Sequence, residues 1–377
     1  MKTCIKKLLT ISILIGLISS CQKDRSNPEI GGCTDINAIN YDSLATINDG
    51  TCLYEDTTIV GLYDNGYFVT NEGNFGSGNG SITFISDDGS VANNVYESTN
   101  GVPLGDVVQS MSIIGEDAYI VVNNSNKIVV ASKDSMIHIT EISISQPRYV
   151  SQVSDNKAYV TSWGNNSIEV IDLTTNTVTN SIPCGVGPES ITVSNGLAYV
   201  TNVGGWGLDN TVTVIDIASD NVVSTINVGD KPNSAQVDAS GNIWVLCGGY
   251  TEYDPVTWAV VSQTQGSLVK ISNDVVVDSY TFNTGESPKN LLIDDYGTML
   301  YYLSGGSVFS FNNTASTLDS TALISDSFYR IGYNDNKIYG TDAVDYSQAG
   351  YSKEYSTSGV LVNTYNVGII PGGYCFN

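Results

Sequence analysis

Histidine is nearly absent from this chain: there is one, His138, in 377 residues. A His-rich zinc site and most Ser-His or Cys-His hydrolytic machinery are thereby excluded. Charge is scarce as well, at 14% of residues against about a quarter in an ordinary soluble domain. Lys and Arg number 15 against 39 Asp and Glu, a formal net charge of −24. Such a chain repels phosphate backbones, so nucleic acid is not an expected partner. No stretch carries a long apolar 3.6-residue period, so no helices are expected, and a phosphate-binding glycine loop between strand and helix has no place. What remains is 41% hydrophobic, enough for a core, with 37 Gly and 23 Tyr.

The N-terminus reads as an address. Lys2, Lys6 and Lys7 form a positive region, and Leu8 to Ile18 an apolar run too short to span a bilayer comfortably. Ile18-Ser19-Ser20-Cys21 resembles a bacterial lipobox, which implies a signal peptide over 1–20 and lipidation of Cys21. Residues 21–31 then form a polar, lipid-anchored linker. The resemblance implies outer-membrane localisation by lipid anchor, and the charged stretch after Cys21 is similar to surface-export signals. No other apolar run approaches ~20 residues, so the lipid is the expected membrane attachment.

Residues 32–52 form a small module. Its two cysteines, Cys33 and Cys52, are expected to pair in an oxidising compartment. Asp35, Asn37, Asn40, Asp42, Asn48 and Asp49 can either cap turns or hold calcium, and the spacing is not that of an EF-hand. No metal site is assigned.

Beyond residue 58 short β-branched and aromatic runs alternate with Gly, Asn, Asp and Pro clusters. Lys157-Ala158-Tyr159-Val160-Thr161-Ser162 aligns with Leu197-Ala198-Tyr199-Val200-Thr201-Asn202, followed by Ser167–Asp172 with Thr211–Asp216 and then 177–182 with 221–226. Pro147 and Pro188 open a strand before each. Four strands, A to D, in about 40 residues match the period of a β-propeller blade. The strand-B signature recurs at Tyr67, Tyr119, Trp244, Tyr301 and Tyr339, giving seven units. The predicted fold is all-β: a seven-bladed propeller over 58–377 behind a disulfide-stapled module. Ile370–Phe376 reads as a Pro-led strand A without a strand B, so the C-terminus should supply the inner strand of blade one.

The Tyr199-Val200-Thr201-Asn202 and Val214-Ile215-Asp216 runs resemble YVTN-type propellers of surface-layer proteins. Runs in blades one to three, including Phe68–Phe75, Asn100–Met111, Val121–Ile128 and Gln146–Tyr149, look like a Bacteroidota lipoprotein propeller family. That family includes cobalamin-capture proteins partnering TonB-dependent transporters. The resemblance implies a corrinoid as transported ligand, not cofactor, and such a transporter as partner.

Loop insertions concentrate on the face of the B–C and D–A connections: 72–80, 203–210, 247–266 and 342–355. They carry Trp206, Tyr250, Tyr253, Trp258, Tyr346, Tyr351 and Tyr355, with Trp163 nearby. Exposed aromatics among Gly and Asn suit recognition, and they suit loop packing equally. Gln109, Arg148, Glu189, Lys289 and Arg330 begin strands A and should ring the axis. Three cations there point to an anionic or amide-rich ligand, or to a salt-bridged funnel with Glu189. The candidate ligand-binding residues are therefore Trp163, Trp206, Tyr250, Tyr253, Trp258, Arg148, Arg330, Lys289 and Gln109. Asn176 lies in a turn on the opposite face. His138 falls in an outer strand of blade two, and Cys184, Cys247 and Cys375 are expected to include at least one free thiol. An enzyme is not expected. A non-catalytic adhesive or protein-interaction scaffold is the alternative.

Overall fold

The computed structural model describes residues 29–53 and 61–377, and two compact units divide within the stretch between them. The lipidation expected at Cys21 and the signal peptide expected over 1–20 lie outside the described residues. No helix among them is long and apolar enough to cross a membrane.

The small unit is held by the Cys33–Cys52 disulfide, with Cα atoms 4.7 Å apart. Its oxygen-bearing side chains cap turns. Asp35 accepts from the Asn37 N–H at 2.9 Å, Asp42 from Leu44 at 2.8 Å and Asn48 from Gly50 at 3.0 Å. These are Asx turns. Among the described residues no group of three or more His, Cys, Asp or Glu could hold a metal.

The large unit is a ring of seven antiparallel sheets. Blade three is typical, with strand A at Pro147–Ser154, B at Lys157–Ser162, C at Ser167–Asp172 and D at Thr177–Pro183. Strands B and C are buried on both faces because each sheet is sandwiched between two others, whereas strand D is mostly exposed. The core lies between blades: Phe68 and Phe84 of blade one pack with Met111, Ile120 and Val129 of blade two.

The repeated tyrosine of strand B latches neighbouring blades. Tyr119 donates to Asn176 Oδ1 at 2.6 Å, Tyr199 to Asp274 Oδ1 at 2.8 Å, and Tyr159 to Asp220. Each acceptor sits in the C–D turn of the following blade with a positive φ, a conformation that Asn and Asp tolerate better than most residues. Asn176 is thus a structural partner of Tyr119.

The C-terminal strand closes the ring. Pro371–Phe376 pairs antiparallel with Gly66–Asn71, matching Phe376 to Tyr67 and Cys375 to Phe68. Three expectations need correction. Blade six has three strands, and its fourth is reduced to one bridge between Val308 and Ile324. Ser316, Thr317 and Asp319 occupy the intervening segment, which lacks the β-branched run a D strand needs. A six-residue helix, Val95–Asn100, occurs in the connection leading to blade two, too short to show a period in the sequence. Strand C of blade seven begins at Ala349, so Tyr351 and Tyr355 belong to a strand, and Tyr355 is buried with its hydroxyl on Asp326. His138 opens the outer strand of blade two, 3.1 Å from the Tyr96 hydroxyl. Cys184, Cys247 and Cys375 are all free, the latter two buried.

Candidate functional site

Side chains reach the axis because strand A is bulged near its start in blades two to six, between Val108 and Ser110, Pro147 and Val150, Pro188 and Ile191, Pro232 and Ser234, and Lys289 and Leu292. A bulge inserts an unpaired residue and re-aims its side chain. Here it turns Gln109, Arg148, Tyr149, Glu189, Ser190, Asn233 and Asn290 out of the regular alternation. Inner strands are then stitched to each other: Ser110 Oγ donates to the Arg148 carbonyl at 2.7 Å, and Asn233 Nδ2 to the Pro288 carbonyl at 2.9 Å.

Two clusters form at this end. In the first, Arg148 grips Glu189 through Nε (2.9 Å) and Nη2 (2.7 Å), a two-pronged pair. Its Nη1 donates to Gln109 Oε1, and its guanidinium stacks 4.2 Å from the Trp163 ring. Trp163 in turn meets Trp206 edge to face at 6.0 Å. Trp206 is 89% exposed, while Trp163 Nε1 is buried without a hydrogen-bond partner. Burial works against the Arg148 charge, but Glu189 outweighs it and holds the guanidinium above its ordinary value. Arg148 is therefore a structural cation in a salt-bridged funnel, not a free one.

The second cluster joins Lys289, Arg330, Tyr329 and Glu72. Lys289 Nζ lies 5.0 Å above the Tyr329 ring and the Arg330 guanidinium 5.8 Å from it. The Tyr329 hydroxyl donates to Glu72 at 3.1 Å, and Tyr346 of the blade-seven loop packs edge-on against Tyr329 at 5.7 Å. Burial raises the Glu72 carboxyl, against the pull of Arg330 and the Tyr329 hydrogen bond. Burial, helped by repulsion from Arg330, depresses Lys289 to about 8.

A group whose folded value lies below its unfolded one destabilises the fold wherever it is protonated in the native state. Stability should therefore rise with pH from about 8, where folded Lys289 loses its proton while the unfolded chain keeps it. Lys289→Met should flatten that rise between pH ~8 and ~9.5, as measured by chemical denaturation. Identical slopes in the two proteins would contradict the burial of this ammonium.

Of the residues predicted as ligand-binding, Arg148, Gln109, Trp163 and Trp206 are contiguous, as are Lys289 and Arg330. Tyr250 lies beneath Lys231 Nζ at 5.7 Å. Tyr253 and Trp258 stand on a hairpin, Thr251–Tyr253 with Val260–Gln263, inserted between strands B and C of blade five. They are 52% and 76% exposed and make no ring contact among the described residues. Sequence reasoning left out Glu72, Tyr149 and Tyr329. Tyr149 and Tyr329 flank the predicted Arg148 and Arg330, but strict two-residue alternation would send them elsewhere. Only the bulge could have flagged Tyr149.

A closed ring of seven blades, with strand A bulged in blades two to six, defines the class: a β-propeller with a polar, cation-bearing axis. More particularly, the chain belongs to the family described as "Domain of unknown function (DUF5074)", whose model matches residues 65–368. Among solved structures it is similar to a functionally unknown protein from Desulfotomaculum acetoxidans, at 16% identity over 82% of this chain and 98% of that one, with a TM-score of 0.61. It is also similar to a quinonprotein alcohol dehydrogenase-like protein from Bacteroides thetaiotaomicron, at 13% identity over 84% and 79%, with a TM-score of 0.58. A third is Kuenenia stuttgartiensis hydrazine synthase, at 16% identity over 70% and 88%, with a TM-score of 0.56. At these identities the likeness is one of fold alone. No curated protein matches the sequence.

Proposed function

We propose that this chain is a non-catalytic recognition propeller, tethered to the outer-membrane surface through Cys21, that captures a corrinoid such as cobalamin and passes it to a TonB-dependent transporter. The observation that carries this reading is the Trp163–Trp206 pair. One ring is nine-tenths exposed, the other is braced by Arg148 and keeps a buried indole N–H unpartnered. That pairing offers rigid apolar area beside an unused donor, which suits a large, amide-rich ligand. The family resemblance supplies the ligand class.

Titrating purified protein with cobalamin and following its visible spectrum tests the reading. Saturable binding is expected at or below micromolar concentration. Trp206→Ala should weaken it ~10-fold or more, since a buried interface tryptophan contributes about 2 kcal/mol or more when truncated. Absence of binding at micromolar concentration ends the ligand assignment. Undiminished binding by Trp206→Ala moves the site to another face.

A protein-interaction scaffold is the second reading, favoured by the blade-five hairpin. Val256, Trp258, Val260 and Val261 are 83%, 76%, 55% and 61% exposed there, a concentration of apolar side chains that a folded protein seldom leaves uncovered.

A further inference from the structure

Arg330 is the unusual cation of the axis. Its Nε is buried and has no hydrogen-bond partner. None of the ion pairs among the described residues includes it, although Glu72 and Glu189 are near enough to act on its charge. A guanidinium stays charged at any physiological pH and carries five N–H donors. Arg330 as a whole is half-buried and leans on the Tyr329 ring, but its Nε donor is closed off from water and unused, which native proteins seldom tolerate. A second donor is idle as well: Gln109 is only 3% exposed, and while its oxygen accepts from Arg148, its Nε2 is buried with no acceptor.

Both residues border the same cavity. Gln109 and Arg330 line an axial space of about 250 Å³ together with Tyr149, Asn290 and Gly372. Arg330, Tyr149 and Asn290 also line a second space of about 370 Å³. Neither is lined by Arg148, Glu189, Trp163 or Trp206. The lining runs down strands A to Tyr333, Val237 and Phe376, away from the loop aromatics. Asn290 cannot supply the missing acceptor freely, because its Oδ1 already takes the Ile331 N–H at 2.7 Å. The two idle donors thus belong to the channel and not to the loop face.

We infer that the axial channel holds a small oxyanion, a carboxylate or phosphate group, between the Arg330 guanidinium and the Gln109 amide. A flat guanidinium edge and an amide N–H together match the several lone pairs of an oxyanion. Arg330 is the one basic residue that lines either space, and Lys289 stands over the same Tyr329 ring, so positive charge gathers at this end of the channel although the chain carries a net −24. Gln109 also touches Arg148 of the proposed corrinoid face, but the oxyanion would sit in the channel, and its test uses no corrinoid.

The test uses the purified protein in acetate, in phosphate and in chloride at matched ionic strength and pH. A ligand bound only by the folded state raises the melting temperature in a saturable way. Either acetate or phosphate should raise it over chloride, and the one that does so identifies the group. Arg330→Gln should abolish the rise, with its own melt in chloride showing that it folds. Gln109→Leu should weaken oxyanion binding about tenfold by calorimetry while the rise persists at higher concentration. Equal melting of the wild type in all three salts overturns the inference, as does an undiminished rise in Arg330→Gln. If Arg330→Gln does not fold, unchanged affinity in Gln109→Leu overturns it instead, and a tenfold loss sustains it.

Discussion

Removing Ile370–Asn377 should lower the melting temperature by ~10 °C or more. The deleted strand supplies the whole inner edge of blade one, and Tyr374 and Phe376 go with it. Both rings sit in a cluster that spans the closure. Phe376 lies 5.7 Å from Tyr67 and 4.9 Å from Tyr339, and Tyr374 lies 5.5 Å from Tyr339. Tyr67 belongs to blade one and Tyr339 to blade seven, so the last strand joins the two ends of the chain. Losing a fully buried aromatic costs about 3–5 kcal/mol, and these two, partly buried, should each cost somewhat less. The two rings, the buried Cys375 and the ladder bonds lost with the strand, at roughly 1.5 °C per kcal/mol for a unit of this size, give the expected drop. The Gly66–Asn71 strand would be left with an unpaired edge, so the truncated chain should also self-associate. Calorimetry and light scattering together check both. A truncated chain that melts with the full one would mean that the ring is held by the other six interfaces alone.

Arg148→Met should cost about 3–5 kcal/mol of stability, the usual penalty for stranding one partner of a buried ion pair. The side chains of Arg148 and Glu189 are 12% and 7% exposed, so water cannot replace the guanidinium. Glu189 would lose both of its charge-assisted hydrogen bonds, and Gln109 and Trp163 would each lose a contact with the same group. Combining Arg148→Met with Glu189→Gln should recover most of the loss, since no unpaired charge then remains buried. Denaturant unfolding of the two single variants and the double variant gives the coupling directly. A double variant as unstable as the sum of the singles would show that the pair acts through packing and not through charge.

These results bear on how the sequence can be read. The tyrosine at the second or third position of strand B was visible as a spacing, and its role as an interblade latch explains why the spacing holds. The hydroxyl of Tyr119 must reach Asn176, 57 residues later, which fixes where the next blade's turn can lie. Glu189 stands 41 residues after Arg148, about one blade on, so their pairing could be suspected from the period. The orientation that makes it two-pronged could not. It depends on bulges at Pro147–Val150 and Pro188–Ile191, which no residue type in those runs announces.

Patterning alone determined the seven blades, the disulfide-stapled unit ahead of them and the closing C-terminal strand. Each follows from local rules: β-branched runs of strand length, turn residues between them, two cysteines in one short segment, and one inner strand left over. Tertiary structure decided which charges are spent and which are free. Arg148 and Arg330 both stand near the head of strand A but one register place apart, since the N–H groups of Tyr149 and Arg330 make the matching bond to Thr161 and Thr341; one arginine is clasped by a carboxylate and the other faces a cavity with an idle Nε. The difference lies in what the neighbouring blade brings to the axis, and long-range packing sets that, because an ion pair needs its partner within about 4 Å whatever the separation along the chain.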